Sequence, residues 1–421
     1  MITYRGYEAA RTHIRRKTKG MGQMALRDAI DTFVETFLGD YQQAALQIHA
    51  TPETSNHEFF ARDTLVALLK QQGFTVRQEV AGHRTAFDAR YASAKPGPVI
   101  VFLAEYDALP DIGHACGHNL FGTTSSLAAS ALRHVIDAIG GEVRVYGTPG
   151  EEGGEQGWAK DSFVKAGFFD DVDAALCAHP GYRHTRTSPS LAVDMVNVQF
   201  VGKAAHAAAR PEAGINALDA VIQVFNGVNA WRQQLPPGAR VHGIITDGGA
   251  APNIIPEHAS AKFFLRAETR PVLNAMTERF RDIVQGAALA TGASAFFDKY
   301  DNKLDNTLII REFDDVYARN LALYGQTLEE KPVNEGYGSS DVGNVSQLVP
   351  TIQPMISISD TPIVLHSLDS REAAKSRKGL DSIGLGARVL ALTAIELIQT
   401  PSLLTSITAA HRHVLDGQQA K

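Results

Sequence analysis

The stretch PVIVFLAEYDALPDIGHACGHNLFG, Pro98 to Gly122, decides how the chain folds. Its first half, Pro98 to Ala104, is an unbroken apolar run, as expected of a strand buried on both faces of a parallel sheet. Its second half crowds two histidines, a cysteine and several carboxylates into a loop, and a helix from about Leu120 to Ile139 should follow. The same grammar recurs downstream. Glu142 to Tyr146 reads as a strand, followed by a Gly-rich loop and a helix around Gly157 to Ala166. Asp173 to Ala178 then reads as a third strand. Strand–helix–strand order of this kind predicts an α/β domain with a mostly parallel sheet and helices on both faces.

Working outward, Ala25 to Ile48 carries Ile30, Phe33, Val34 and Phe37 at helical spacing. Ser55 to Glu58 has the S-x-x-E pattern of a capping box and predicts a helix that buries Phe59, Leu65, Leu68 and Leu69 and stops near Gly73. Phe74 to Val80 and Thr85 to Tyr91 read as strands. Beyond Pro180 the texture changes. The polar segment Arg183 to Ser190 reads as a hinge, and Asp194 to Val201 alternates as a half-exposed antiparallel strand does. A helix from Asn216 to Gln233, with Leu218, Val221, Ile222 and Phe225 on one face, comes next. Strands Arg240 to Asp247 and Ala259 to Ala267, a helix Val272 to Ala290 and a strand Ser294 to Tyr300 complete a β-α-β-β-α-β sandwich. Core-like patterning returns from Asn306 and ends in the helix Gly384 to Ile398. The expected organisation is a catalytic domain in two parts, 1–188 and 306–421, with a domain inserted at 189–305.

Composition sets bounds on function. At 421 residues, with 44% hydrophobic and 20% charged residues, the chain suits a multidomain globular protein. A net charge of -6 without long runs of one sign gives no reason to expect nucleic acid or an anionic membrane as partner. Two cysteines, Cys116 and Cys177, make no disulfide framework and suit a reducing cytoplasm. No apolar run reaches membrane-spanning length, and the basic first twenty residues lack the apolar core of a signal peptide.

Ligands of open parallel sheets bind at the carboxyl ends of the strands. Four such ends carry titratable groups: Cys116 and His118 after the first strand, Glu151 and Glu152 in GTPGEEGGEQG, His179 in ALCAHPG, and His366 closing TPIVLHS. An i, i+2 pair in extended backbone points one way, so Cys116 and His118 can share one ion. Thiolate and imidazole suit zinc and similar metals. Asp107 can hold the second nitrogen of a ligating imidazole. Of two adjacent glutamates, one can ligate while the other moves a proton. Taken singly, a polar turn, a solvated acidic pair or a core histidine explains each of these residues; together they describe one metal site.

The segments GHACGHN, GTPGEEGG, GKAAHAA and GGAAPNIIP resemble the zinc-peptidase superfamily of aminoacylases and carboxypeptidase G-type hydrolases. The likeness runs from about Leu26 to Ile398 and is strongest to the amidohydrolase branch, near the aminobenzoyl-glutamate hydrolase and small-dipeptide hydrolase subgroup. The resemblance implies an inserted lid domain that mediates homodimerisation. It implies two divalent ions (Zn, Mn, Co or Ni) held by Cys116, His118, Glu152, His179 and His366, with Glu151 as general base. It implies His206 as a lid group contacting the tetrahedral intermediate, in cis or across the dimer, and Asn253 and Arg266 as contacts of the substrate carboxylate. The reaction implied is cleavage of the amide bond of N-acyl or N-aroyl amino acids, or of small dipeptides, by a water bridging the ions. The sequence departs from the simple-peptidase branch in reading Glu105-Tyr106-Asp107 where an H-x-D motif would stand, so Cys116 takes that ligand slot. Two rival readings remain open on the sequence alone: a Cys116 nucleophile with His114 or His118 as base, and a metal-containing binder of acylated amino acids without turnover.

Overall fold

The computed structural model describes residues 23–299, 302–330 and 337–419; the basic first twenty residues and Tyr300 lie outside them. The chain divides into two compact units. Of the described residues, one comprises 23–189, 308–330 and 344–416, the other 190–299, 302–307, 337–343 and 417–419.

The first unit opens with α1 (Gln23–Ala50), which buries Ile30, Phe33, Val34, Phe37, Tyr41, Ala45 and Ile48, one face at intervals of three and four. Helix α2 (Phe59–Gln71) follows, then β1 (Thr75–Gln78), β2 (Phe87–Ala92), β3 (Val99–Ala104), α3 (His118–Ile139), β4 (Glu142–Gly147), α4 (Ala159–Lys165), β5 (Ala174–Leu176) and β6 (His179–Gly181). The six-stranded sheet runs β1-β2-β4-β3-β5 and ends on β13 (Thr351–Ile352). The pairings of β4, β3, β5 and β13 with one another are parallel, and β1 and β2 add antiparallel pairings at one side. Strand β3 is buried along nearly its whole length, as its unbroken apolar sequence requires. Helices α1, α3 and α7 (Arg377–Gln399) pack on one another, and α3 lies against β3 and β4. A parallel pair of β6 with β14 (Met355–Ser357) continues beyond the sheet, Met355 opposite His179.

Two local expectations fail for physical reasons. The capping box is not made: α2 begins at Phe59, and its free amides at Phe60 and Ala61 are taken by the Glu53 carboxylate, each at 3.0 Å. Ser55 and Glu58 turn inward to other partners. Nor does His366 end a strand; it sits in a turn with φ 65°.

The second unit is a four-stranded antiparallel sheet in the order β12-β7-β11-β9, built from β7 (Ala192–Val201), β9 (Arg240–Asp247), β11 (His258–Ala267) and β12 (Ser294–Lys299). Helices α5 (Ala217–Trp231) and α6 (Arg270–Thr291) pack on it, and a short ribbon pairs β8 (Ala205–His206) with β10 (Ile254–Ile255). Strand β7 sends Val196, Val198 and Phe200 into a core with Val221, Val224, Phe263, Leu265, Phe280 and Val284. The buried face of α5 is rotated from the one expected. Ala217, Ala220, Val221, Val224 and Val228 are buried and Ile222 is exposed.

A buried polar knot ties this unit together. The Arg270 guanidinium bonds Asp305, Asp194 at 2.7 Å and the Leu304 carbonyl, while the other Asp194 oxygen takes Lys299 at 2.7 Å and Thr277 at 2.6 Å. Removing one partner of such a group strands the others without water. Arg270→Met is therefore expected to destabilise the second unit by about 3–5 kcal/mol, read as a lower denaturant midpoint with an unchanged slope; a loss below about 1 kcal/mol would show that the knot carries little of the stability.

Candidate metal centre

The loop after β3 turns sharply before entering α3. Gly117, at φ 83°, is the left-handed residue that makes this possible, and a Cβ there would stand 2.8 Å from the Pro180 ring. Cys116 and His118 therefore converge through a glycine turn at a helix start, not through an extended i, i+2 pair. Pro180 packs against the glycine and brings His179 to the same place, with Cys116 Sγ 3.5 Å from His179 Nε2.

The ring orientations are fixed from behind. His118 Nδ1 lies 2.8 Å from Asp107 Oδ1, and His179 Nδ1 lies 2.8 Å from the Pro180 carbonyl. With acceptors on both Nδ1 atoms, the protons sit there and each Nε2 presents its lone pair to the site. The first unit thus holds three overlapping sets of candidate ligand atoms, each within 4.8 Å of one another: Cys116, His118 and His179; Cys116, Glu152 and His366; His118, Glu151 and Glu152. Cys116 is common to the first two. The Glu152 amide donates to Asp107 Oδ2 at 2.9 Å, which places the two-glutamate loop. The His366 amide donates to the Ala115 carbonyl, which ties its turn to the cysteine loop.

These donors fit divalent ions. His118 Nε2 and Glu152 Oε1 are buried without an aligned hydrogen bond, although Glu152 Oε1 and His366 Nε2 are 3.0 Å apart. Acceptor atoms facing one another across a buried space call for a cation between them. Burial pushes the Cys116 thiol up, even against the pull of the His118 ring. That is the reverse of what an unaided thiol nucleophile needs, and it weakens the cysteine-hydrolase reading. Burial also pushes the Asp107 carboxyl up, but the His118 ring, the Glu152 amide and the Ser55 hydroxyl outweigh it and hold the group at about 2. Burial lowers His179.

His114 is buried, and its ring stands near that of His49 (6.1 Å between centroids); burial holds it down at about 3. Cys177 is buried with its thiol on the Ile352 carbonyl and belongs to the packing. Sequence reasoning passed over the pair Glu105–Lys160, fully buried at 2.8 Å, with Glu105 Oε2 3.3 Å from His118 Nε2. The one signal was a glutamate immediately after an apolar strand; nothing in the sequence announced its lysine.

The other named residues lie in the second unit. His206, on β8, is exposed, and its Nδ1 accepts from the amides of Ala208 and Ala209. The remaining proton is therefore on Nε2, which makes the ring an outward-facing donor. Asn253 is exposed in the turn before β10, its carbonyl accepting from the Ala207 amide. Arg266 is half-buried in a groove of about 530 Å³ lined by Met195, Asn197, His242, Ile244, Lys262 and Phe264. Among the described residues its guanidinium bonds two neutral groups, His242 Nε2 at 3.3 Å and Ser339 Oγ at 3.1 Å. Burial lowers its pKa, and Arg240 adds to that.

Comparison with known proteins gives this geometry a context. Residues 193–291 match the peptidase dimerisation domain of the M20 peptidases. The Xaa-Arg dipeptidase of Mus musculus is 34% identical over 386 residues, covering 88% of this chain and 89% of that protein. A component chain of the p-aminobenzoyl-glutamate hydrolase of Escherichia coli (strain K12) is 31% identical over 471 residues, covering 92% of this chain and 95% of that one. Among solved structures, an aminobenzoyl-glutamate utilization protein from Klebsiella pneumoniae superposes with a TM-score of 0.67 at 19% identity, covering 88% of this chain and 99% of that one. A dinuclear metal-binding M20 peptidase from Bacillus subtilis does so with 0.61 at 19% identity, covering 85% and 99%.

Because Cys116 is shared by two ligand sets and His366 belongs to one, their loss should differ. Measured by elemental analysis after dialysis, His366→Ala is expected to keep one tightly held divalent ion and Cys116→Ala to keep less; equal retention in both variants would break the shared-ligand arrangement.

Proposed function

Since this chain belongs to the M20 superfamily of peptidases and amidohydrolases, we propose a specific division of labour within its site. The chain is a metal-dependent hydrolase of linear amide bonds. The finer reading is that Cys116, His118, Glu152, His179 and His366 hold two divalent ions drawn from Zn, Mn, Co and Ni. The observation that carries it is the pair of ligand sets meeting at Cys116. Bound divalent ions supply Lewis acidity, polarising a carbonyl and bringing the pKa of water toward neutrality.

The protein's own groups do the rest. The Glu151 carboxylate takes a proton from the attacking water and returns it to the departing amine. Its backbone is steadied by Trp158, whose Nε1 donates to the Glu151 carbonyl at 3.0 Å. His206, with its proton on Nε2, donates to the oxygen that gains charge as the carbonyl becomes tetrahedral, an interaction typically worth about 2.7–4 kcal/mol. Arg266 has the planar fork that suits a carboxylate and, among the described residues, neutral hydrogen-bond partners; Asn253 adds an amide. Arg266 and Lys262 line that groove, and among the described residues no carboxylate does. This charge supports N-acyl or N-aroyl amino acids, or dipeptides, whose leaving amino acid is acidic over those whose leaving amino acid is basic. The relative from Escherichia coli is named for a glutamate conjugate, the one from Mus musculus for arginine dipeptides.

Residues 189–305 form the lid in this reading, with chain parts 1–188 and 306–421 as the catalytic domain. The match of 193–291 to a dimerisation domain supports a homodimer. Cys116 and Cys177 are thiols, not disulfide-bonded, which supports a reducing cytoplasm. Among the described residues no single helix is long and apolar enough to cross a membrane.

Chelation should abolish hydrolysis of an N-acyl amino acid, and adding back one of the four metals should restore it; activity that resists chelation would overturn the metal reading. Glu151→Gln should keep both ions and lose turnover by about 10²-fold or more; a loss under about tenfold would remove it as the base. Across a substrate panel, kcat/KM should favour glutamate and aspartate conjugates over arginine ones, and Arg266→Ala should erase that preference chiefly through KM. Mixing His206→Ala with Glu151→Gln protomers should restore one working site per mixed dimer if His206 acts across the dimer, and none if it acts in cis.

A further inference from the structure

The segment Ser55-Asn56-His57-Glu58, which does not cap its helix, lies beneath the loop that carries Glu151 and Glu152. Glu58 is fully buried; its Oε1 accepts from the Asn56 amide at 2.7 Å and from the Gly150 amide at 2.9 Å, and its Oε2 accepts from the Thr85 hydroxyl at 2.7 Å. Asn56, left-handed at φ 67°, directs its Nδ2 to the Gly157 carbonyl at 3.4 Å, while its Oδ1 meets His83 Nδ1 at 2.8 Å. His83 is anchored in turn on Ser162 at 2.8 Å. Ser55 Oγ donates to Asp107 Oδ2 at 2.9 Å, the same oxygen that takes the Glu152 amide. The loop is thus held at Gly150, at Glu152 and at Gly157. Its glycines are needed for the approach: a Cβ on Gly150 would stand 2.7 Å from Asn56 Nδ2, and one on Gly154 2.4 Å from the same atom.

We propose that Ser55 to Glu58 is a clamp on the two-glutamate loop, and that Glu58 is a positioning residue for the proton-transfer carboxylate of Glu151 and the ligand carboxylate of Glu152. Glu58 touches neither ion nor substrate in this arrangement. It acts by holding one backbone amide next to the two side chains that do. Catalytic groups set on a loop need such external fixing, because a displacement of about 1 Å can cost about 10²-fold in rate. Groups behind metal ligands typically govern about 10–100-fold in metal affinity. The inference rests on the proposed roles of Glu151 and Glu152, and its test includes a reading that depends on neither.

Glu58→Gln keeps an oxygen for the Asn56 and Gly150 amides; Glu58→Ala removes it. On metal-free protein, hydrogen exchange in the peptide covering residues 147–157 should quicken in Glu58→Ala and stay near wild type in Glu58→Gln. In metal titrations, Glu58→Ala should bind the weaker ion about 10–100-fold less tightly. With the ions saturating, its kcat should fall about 10²-fold with KM little changed, and Glu58→Gln should restore both. Unchanged exchange in Glu58→Ala overturns the clamp, and so does equal damage in Glu58→Gln, which would assign the effect to charge. Should Glu58→Ala not fold, Asn56→Gly keeps the left-handed backbone and cuts the tie at Gly157; exchange as slow as wild type in that variant overturns the clamp too. Faster exchange with unchanged metal binding and kcat leaves the loop held but overturns the positioning role. If wild type itself binds no divalent ion while the exchange pattern holds, the metal reading fails and the clamp does not.

Discussion

The Asp107 carboxylate is the point on which the first unit's site turns. It is buried, where a charge survives only if surrounded by donors. It has three: the His118 ring, the Glu152 amide and the Ser55 hydroxyl. Each comes from a different part of the chain, one from the start of α3, one from the loop after β4 and one from the segment before α2. Satisfying one charge thus brings three loops into register. The same bond that stabilises the carboxylate places a proton on His118 Nδ1 and frees Nε2 for the site.

Around that point the fold supplies stiffness and the loops supply chemistry. Strands β3, β4 and β5 end side by side because they pair in parallel, so the residues after them share one rim. Pro180 pressed on Gly117 keeps the cysteine and histidine loops together without a covalent link. The buried Glu105–Lys160 pair lies under the same histidine. A charge pair in such a place contributes to geometry more surely than to net stability, since desolvation offsets most of the attraction. The second unit solves a separate problem. Its two helices pack on one face of an antiparallel sheet, and the other face carries Arg266 and Lys262 in a groove where, among the described residues, no carboxylate stands.

The α/β class, the buried central strand and the β-α-β-β-α-β order were legible because each follows from local periodicity. So were the residues after the strands, since parallel strands dictate where chemistry gathers. The capping box was misread because S-x-x-E states what a segment can do for its own helix. Whether it does so depends on competing partners, and here the Gly150 amide, 92 positions away, takes the Glu58 oxygen while Glu53 serves the helix. The buried face of α5 was misplaced for a related reason. Its apolar residues, Ile222 among them, surround much of the helix, so periodicity alone leaves the choice of face open.

By itself the sequence determined which residue types stand at the strand ends, Cys116 and His118, Glu151 and Glu152, His179, and the two kinds of sheet that follow from a continuous or an alternating apolar pattern. Only the tertiary structure decided how those residues meet. It set Gly117 left-handed under Pro180, put His366 in a turn of positive φ tied to Ala115, and laid Ser55 to Glu58 beneath the two-glutamate loop. The physical reason is range. Periodicity and turn chemistry act over a few residues, whereas the need to satisfy a buried carboxylate or a loop amide is met by whatever donor or acceptor packing brings near, however distant in the chain.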